Sequence, residues 1–192
     1  MDELRKLYEH DFSKTPWLEK QRDIFVFHCN IGCRVGDLFK FRKSDIVNGT
    51  VSYIAGKTIN DKGDIIKVPL NTMAKEIVRK YKDLPGESLL PFLTTQKYND
   101  DIKECLKLAG IDRIVSVLNP TTRKEEKHPI WEKASSHMAR RTFIGNLYKK
   151  IKDPNLIGSL TGHKEGSKAF ARYRDIDDDI KKEIVSILDK KD

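Results

Sequence analysis

Two side chains three positions apart, His137 and Arg140, sit in Ser135-Ser136-His137-Met138-Ala139-Arg140-Arg141-Thr142-Phe143 and could do chemistry on an anion. Ser135 or Ser136 is placed to cap a helix here, and apolar Phe143, Leu147 and Ile151 recur every fourth residue behind it. Residues three apart on a helix share a face. That face falls in the first turn, where free backbone N–H groups and the helix dipole favour a negative ligand. The arginine adds a planar five-donor fork that matches two phosphate oxygens. The expectation is a phosphate-gripping site. Against it stands the plainer reading of a cap neighbour beside a solvated arginine, because short polar motifs recur by chance.

Four further residues bear on that choice. Arg34 follows Gly32-Cys33 at a turn between two helical stretches, where an arginine either caps the preceding helix or points into a site. Asp37, three residues on, could hold its fork by a charge-assisted bond. Lys57, in Ala55-Gly56-Lys57-Thr58, falls near a hairpin tip, where lysine protects an edge or, on a mobile hairpin, reaches a phosphate or protonates a leaving oxygen. His163 follows Thr161-Gly162 and Tyr173 lies in a short helical run; taken singly, these are a cap and half-buried packing.

The elements that must position these residues come from periodicity. Thr15-Pro16 opens a helix over residues 16–31, stopped by Gly32, and a second short helix starts at Cys33. From residue 46 the period changes to two, and residues 50–69 read as a β-hairpin through Asn60-Asp61-Lys62-Gly63. Asn71 caps a helix through Tyr81, and residues 95–109 form another with Gly110 as its stop. Ile114–Leu118 and Pro129–Trp131 are β-like runs flanking a polar exposed loop or small hairpin. Asp153-Pro154 starts a short helix ending at Thr161, and Ser167 could cap one more. Ile176, Ile180, Ile184, Ile187 and Leu188 give the tail an apolar stripe that needs a partner surface.

Composition narrows the partner. The 192 residues carry a net charge of +8, with 34% charged and 38% apolar residues, a basic balance that points to a polyanion, nucleic acid before membrane. No apolar run approaches a spanning helix, and the charged N-terminus is unlike a signal peptide, so a cytoplasmic protein is expected. Cys29, Cys33 and Cys105 are odd in number and lack redox or zinc spacing; they read as reduced core thiols. No metal or cofactor motif is present, and the expectation is none of either.

Taken in order, Arg34 in Cys33-Arg34-Val35-Gly36-Asp37-Leu38, Lys57, His137 with Arg140, His163 in Leu160-Thr161-Gly162-His163, and Tyr173 ten residues later resemble the catalytic signature of the tyrosine recombinases, the phage integrase family. The resemblance runs from about residue 15 to the tail. It implies an α+β, mostly α-helical catalytic domain with a small antiparallel sheet, and a core at 15–175. Residues 1–14 would be flexible or a linker from a missing N-terminal core-binding domain, and 176–192 an amphipathic tail helix.

The resemblance also assigns roles. Tyr173 would attack the scissile phosphate, forming a 3′-phosphotyrosine and releasing a 5′-hydroxyl. Arg34 and Arg140 would clamp that phosphate, His137 and His163 would hydrogen-bond to it, and Lys57 would protonate the leaving oxygen. Without a metal, the developing charge has to be met by such donors. The partners implied are double-stranded DNA, other protomers in a tetrameric synapse through the tail, and accessory DNA-bending or excision proteins. The setting implied is a mobile element in a prokaryotic cytoplasm, near the nucleoid. The His163–Tyr173 interval is at the long end of the pattern, though the nearest other tyrosine is Tyr148. A type IB topoisomerase, which shares this logic, and an inactive DNA-binding module are the alternatives.

Overall fold

Helix α2 (Pro16–Ile31) is the axis on which α1 (Asp2–Glu9), α4 (Thr72–Lys80), α5 (Thr95–Leu108) and α6 (Ser136–Tyr148) pack. Both of its ends are local chemistry: proline stands at its first position, and Gly32 ends it in the left-handed region at φ 70° with its N–H on the His28 carbonyl. From Gln21 to Ile31 every residue is buried, so the helix has no solvent face over most of its length. The computed structural model describes residues 1–56, 65–151 and 153–163. Lys57, the hairpin turn, Tyr173 and the tail stripe lie outside the described residues.

The stretch before Thr15, expected to be flexible or a linker, holds helix α1 (Asp2–Glu9). Leu4 and Leu7 share one face and are buried, as is Phe12 behind them, and burying each such side chain contributes roughly 1.5–3 kcal/mol. Arg22 of α2 then reaches the carbonyls of Leu7, Tyr8 and His10, which the helix end would otherwise leave unsatisfied. The segment is therefore docked.

After the short α3 (Val35–Leu38) comes a three-stranded antiparallel sheet, β1 (Ile46–Val47), β2 (Thr50–Ile54) and β3 (Ile65–Pro69). The hairpin expected over residues 50–69 is there, with Val51 opposite Val68 and Ile54 opposite Ile65. β1 adds a strand the periodicity did not reveal, joined by Asn48 and Gly49 at φ 50° and 71°. Asn-Gly is the pair that a two-residue type I′ turn favours, and it was the available signal. Along β3, Ile66 and Val68 are buried while Ile65, Lys67 and Pro69 are exposed, the alternation of a sheet with one face on the core.

Helix α4 (Thr72–Lys80) begins where Asn71 accepts the Ala74 N–H at 2.9 Å, and α5 (Thr95–Leu108) ends before Gly110 at φ 63°. Between Ile114 and Trp131 a small hairpin forms, one of the two expected outcomes, but its second strand is not the Pro129–Trp131 run. β4 (Ile114–Leu118) pairs with β5 (Glu125–Pro129), so the second strand is the charged stretch, and Ile130–Lys133 is a 3-10 turn. Asn119 accounts for this, since its carboxamide oxygen accepts the Thr121 and Thr122 N–H groups and closes the loop tightly enough to bring Glu125 opposite Leu118.

Helix α6 (Ser136–Tyr148) and α7 (Pro154–Thr161) complete the described chain. Phe143 and Leu147 pack on the core, whereas Ile151, expected to continue that stripe, lies beyond the helix and is exposed. Asp153 caps α7 through the N–H groups of Asn155 and Leu156. Gly162 ends α7 at φ 68°, and a Cβ there would lie 2.5 Å from Ile66 Cδ1; α7 is thus seated directly on β3. No helix among the described residues is long and apolar enough to cross a membrane.

Candidate phosphate-binding site

The turn from Gly32 to Arg34 forms one wall of the site, and three contacts fix it. Beneath it lies His28, fully buried, with Nε2 3.0 Å from the Cys33 carbonyl and Nδ1 3.2 Å from the Tyr98 hydroxyl. A carbonyl only accepts, so Nε2 carries the proton and Nδ1 accepts from tyrosine. Burial holds the ring's pKa down to about 4, which keeps it neutral near pH 7. Gly32 itself permits no other residue, because a Cβ would lie 2.2 Å from Phe143 Cδ1 on α6. Its carbonyl accepts from Arg140 Nη1 at 2.8 Å.

Arg34, at the N-cap position of α3, is half-buried, and its Nη1 atom is buried with no hydrogen-bond partner among the described residues. Asp37, expected to hold the Arg34 fork, does not. Its Oδ1 accepts the Gly56 N–H at 2.9 Å instead, tying down the end of β2 one residue before Lys57. An unsatisfied buried guanidinium N–H costs roughly 1–3 kcal/mol, a cost that an anion accepting from Arg34 would offset.

The second wall is the start of α6. Ser135 occupies the N-cap position without a side-chain cap bond, and the helix end is anchored by Asn99 of α5, whose Oδ1 accepts the Ser136 N–H at 2.7 Å. No sequence pattern announces Asn99. His137 is exposed in the first turn, and one turn deeper Arg140 is only 4% exposed. Its Nη2 donates to the Thr161 carbonyl at 2.9 Å and lies 3.1 Å from both ring nitrogens of His163. Burial first, then the charges of Arg140 and Arg34, bring the His163 pKa down to about 4.

Cys33, Arg34, Val35, Ser136, His137 and Arg140 line one open pocket. Three of the six expected site residues therefore converge on it, from two elements a hundred residues apart. His163 stands beside Arg140 rather than on the pocket wall, and Lys57 and Tyr173 are outside the described residues. Two arginines and a histidine with no acid in the lining make an anion site, in which a phosphate could be held by two guanidinium forks. The three cysteines are buried and burial raises each thiol pKa, Cys105 to about 12, so they are inert thiols, as expected.

The residues that position this pocket went unnoticed in the sequence. His28 could have been found as a polar residue on an otherwise apolar helix stretch; Tyr98 and Thr161 carried no comparable signal.

A comparison with protein-family models matches residues 1–179 to the phage integrase family. The chain belongs to that family. Members of known structure share its fold. XerH site-specific recombinase, in a post-cleavage complex with palindromic difH substrate, superposes with a TM-score of 0.67 at 19% identity, over 98% of this chain and 52% of that one. XerA recombinase gives 0.67 at 20%, over 100% and 65%. A lambda integrase tetramer bound to a Holliday junction gives 0.63 at 24%, over 91% and 46%. The chain thus spans between about half and two thirds of the length of these integrase-family structures. No curated protein matches it. The fold is that of a tyrosine recombinase catalytic domain, mostly helical with small antiparallel sheets, as the resemblance implied.

Proposed function

We propose that the chain is the catalytic part of a site-specific DNA recombinase that cuts and rejoins strands through a 3′-phosphotyrosine, serving the integration or excision of a mobile element. The observation that carries this reading is the convergence of Arg34, His137 and Arg140 on one acid-free pocket. Membership of the phage integrase family supports it. Arg34 and Arg140 hold the non-bridging oxygens of the scissile phosphate, and His137 donates to it from the first turn of α6. The Tyr173 hydroxyl attacks phosphorus, its proton passes to a nearby base, and the 5′-oxygen leaves with a proton from Lys57. A tyrosine with an ordinary pKa near 10 needs such help. The covalent link conserves the bond, so a second 5′-hydroxyl reverses the step without an energy source.

The partners proposed are double-stranded DNA, further protomers engaged through the tail, and accessory DNA-bending or excision proteins, at the nucleoid of a prokaryotic cytoplasm. XerH with difH and the lambda integrase tetramer on a junction are the precedents for DNA and protomers. Binding should weaken steeply with salt, because phosphate contacts release counterions. The test is a nicked suicide DNA carrying candidate attachment sites. A covalent band on a denaturing gel, absent in Tyr173→Phe, supports the reading; no band from protein with verified DNA binding refutes it. Relaxation of supercoiled DNA without site preference would favour topoisomerase action.

A further inference from the structure

The two free edges of the β4–β5 hairpin are built differently. The bonds that flank its ladder fix which groups face inward: the Ile130 N–H donates to the Arg113 carbonyl and the Asn119 N–H to the Lys124 carbonyl, each at 2.9 Å. Bonded pairs alternate along an antiparallel ladder. With Ile114 opposite Pro129 and Leu118 opposite Glu125, the bonds therefore fall at Val115–His128 and Val117–Glu126. The N–H and C=O groups of Ile114, Ser116 and Leu118 point away from β5, and no backbone bond from the described residues reaches them. On β5 the outward positions are Glu125, Lys127 and Pro129.

A free edge invites another strand, and proteins guard such edges with charge or proline. β5 is guarded in both ways. β4, Ile-Val-Ser-Val-Leu, has neither charge nor proline and is rich in β-branched residues. Ile114 and Leu118 are 62% and 57% exposed on the face they share with Ser116. A two-stranded hairpin is marginal in water, and further strands strengthen it.

The residues of the edge say which strand fits it. Ile-Val-Ser-Val-Leu reads nearly the same in both directions. Turned antiparallel about Ser116, a second copy brings Ile114 opposite Leu118, Val115 opposite Val117 and Ser116 opposite Ser116. Like then meets like on both faces, and each outward N–H finds a carbonyl. The β5 edge would instead offer two charges and a missing N–H. Charge agrees at the ends, because the same rotation lays the tip of each hairpin beside the root of the other. The tip carries exposed Arg123 and Lys124; at the root Asp112 is exposed, and Arg113 is already bonded to Glu3 at 2.9 Å.

We propose that β4 is a self-pairing surface, through which two copies of this chain join antiparallel about Ser116 into one four-stranded sheet. The junction is small, so the dimer is weak. No residue of β4 lines the Arg34–Arg140 pocket, and the pairing does not rest on the recombinase reading.

Sedimentation of the full chain without DNA, from about 1 to 100 μM, should show a monomer–dimer equilibrium. Ile114→Lys with Leu118→Lys sets lysine against lysine at both outer pairs and should weaken the dimer roughly tenfold. Ile114→Lys with Leu118→Glu sets lysine against glutamate in the same register and should restore it. Ser116→Cys reads the register directly, since bonded pairs lie about 5.5 Å apart between Cα atoms, within disulfide reach. Mild oxidation should link two copies of that variant into a dimer on a non-reducing gel, and Lys127→Cys should stay unlinked; the native cysteines are buried. A monomer at every concentration overturns the proposal. So does a dimer that the double-lysine variant leaves intact, which would place the interface elsewhere. Linking through Ser116→Cys no faster than through Lys127→Cys overturns it as well, and decides alone if a charged variant fails to fold.

Discussion

Arg22 and Arg140 are equally buried, at 5% and 4% exposure, and they are put to opposite uses. Arg22 donates to three carbonyls of the α1 terminus and binds Asp23 at 2.7 Å. Asp23 in turn takes Lys80 at 2.7 Å and the Tyr81 hydroxyl at 2.8 Å. Charge is cancelled within the network, and its work is to dock α1. Arg140 is held by the Gly32 carbonyl, the Thr161 carbonyl and the His163 ring. These partners orient it without neutralising it. A buried arginine braced by neutral acceptors is a site, and one braced by a carboxylate is a clamp.

The largest effect should come from the site. Arg140→Lys removes the fork and should lower covalent capture on nicked DNA by roughly 10²–10³-fold. Arg34→Ala should fall in the same range with no loss of stability in urea unfolding, since deleting a buried Nη1 that has no partner relieves a cost of roughly 1–3 kcal/mol instead of adding one. If Arg34→Ala instead unfolded the protein, the division into site and clamp would fail.

The clamp should behave in the opposite way. Arg22→Ala leaves the carbonyls of the α1 terminus without their donor while Asp23 keeps Lys80 and the Tyr81 hydroxyl, and it should cost about 1–3 kcal/mol in urea unfolding, with capture per folded molecule unchanged. A loss of activity at unchanged stability would erase the distinction.

Acid sharpens the comparison from the site's side. The folded His28 ring takes a proton only near pH 4, whereas in the unfolded chain it does so near its ordinary value, about 6.5. Between those values the unfolded state binds more protons, so stability is full above pH 6.5 and falls as pH drops, by about 3 kcal/mol at pH 4. His28→Gln should remove its share of that slope in pH-dependent urea titrations and leave the share of His163, whose pKa is likewise held near 4; an unchanged slope would place the titration elsewhere. The smallest effect belongs to an arginine that is neither site nor clamp. Arg42 meets Glu87 at 2.8 Å in open solvent, and Arg42→Ala should change stability by no more than about 1 kcal/mol.

What could be read from the sequence was what adjacent residues decide. Thr15-Pro16, Gly32, Asn71 and Asp153-Pro154 marked helix ends correctly because capping is settled within four residues. α1 was missed because what ties it down is the reach of Arg22 from a different helix. β5 was expected four residues too late because its half-buried positions are Glu126 and His128, which bond each other and make a strand read as a polar loop. In the site, the residue types and their order singled out Arg34, His137 and Arg140, which the structure brings to one pocket. Their supports, His28 with Tyr98, Asn99 and Thr161, act through space and left no spacing to find. The Arg34–Asp37 bond failed for the complementary reason: proximity along the chain suggested it, and Gly56 from the neighbouring strand took the carboxylate.

Arg140 joins the Gly32 carbonyl, 108 positions earlier, to the Thr161 carbonyl, 21 positions later. During synthesis the Gly32 carbonyl is made well before Arg140 and the Thr161 carbonyl after it. A nascent or clipped chain that ends before α7 can fold α2 and its neighbours, yet its guanidinium has only one of its two backbone anchors. The phosphate grip proposed for this pocket would thus be complete only once α7 has been made.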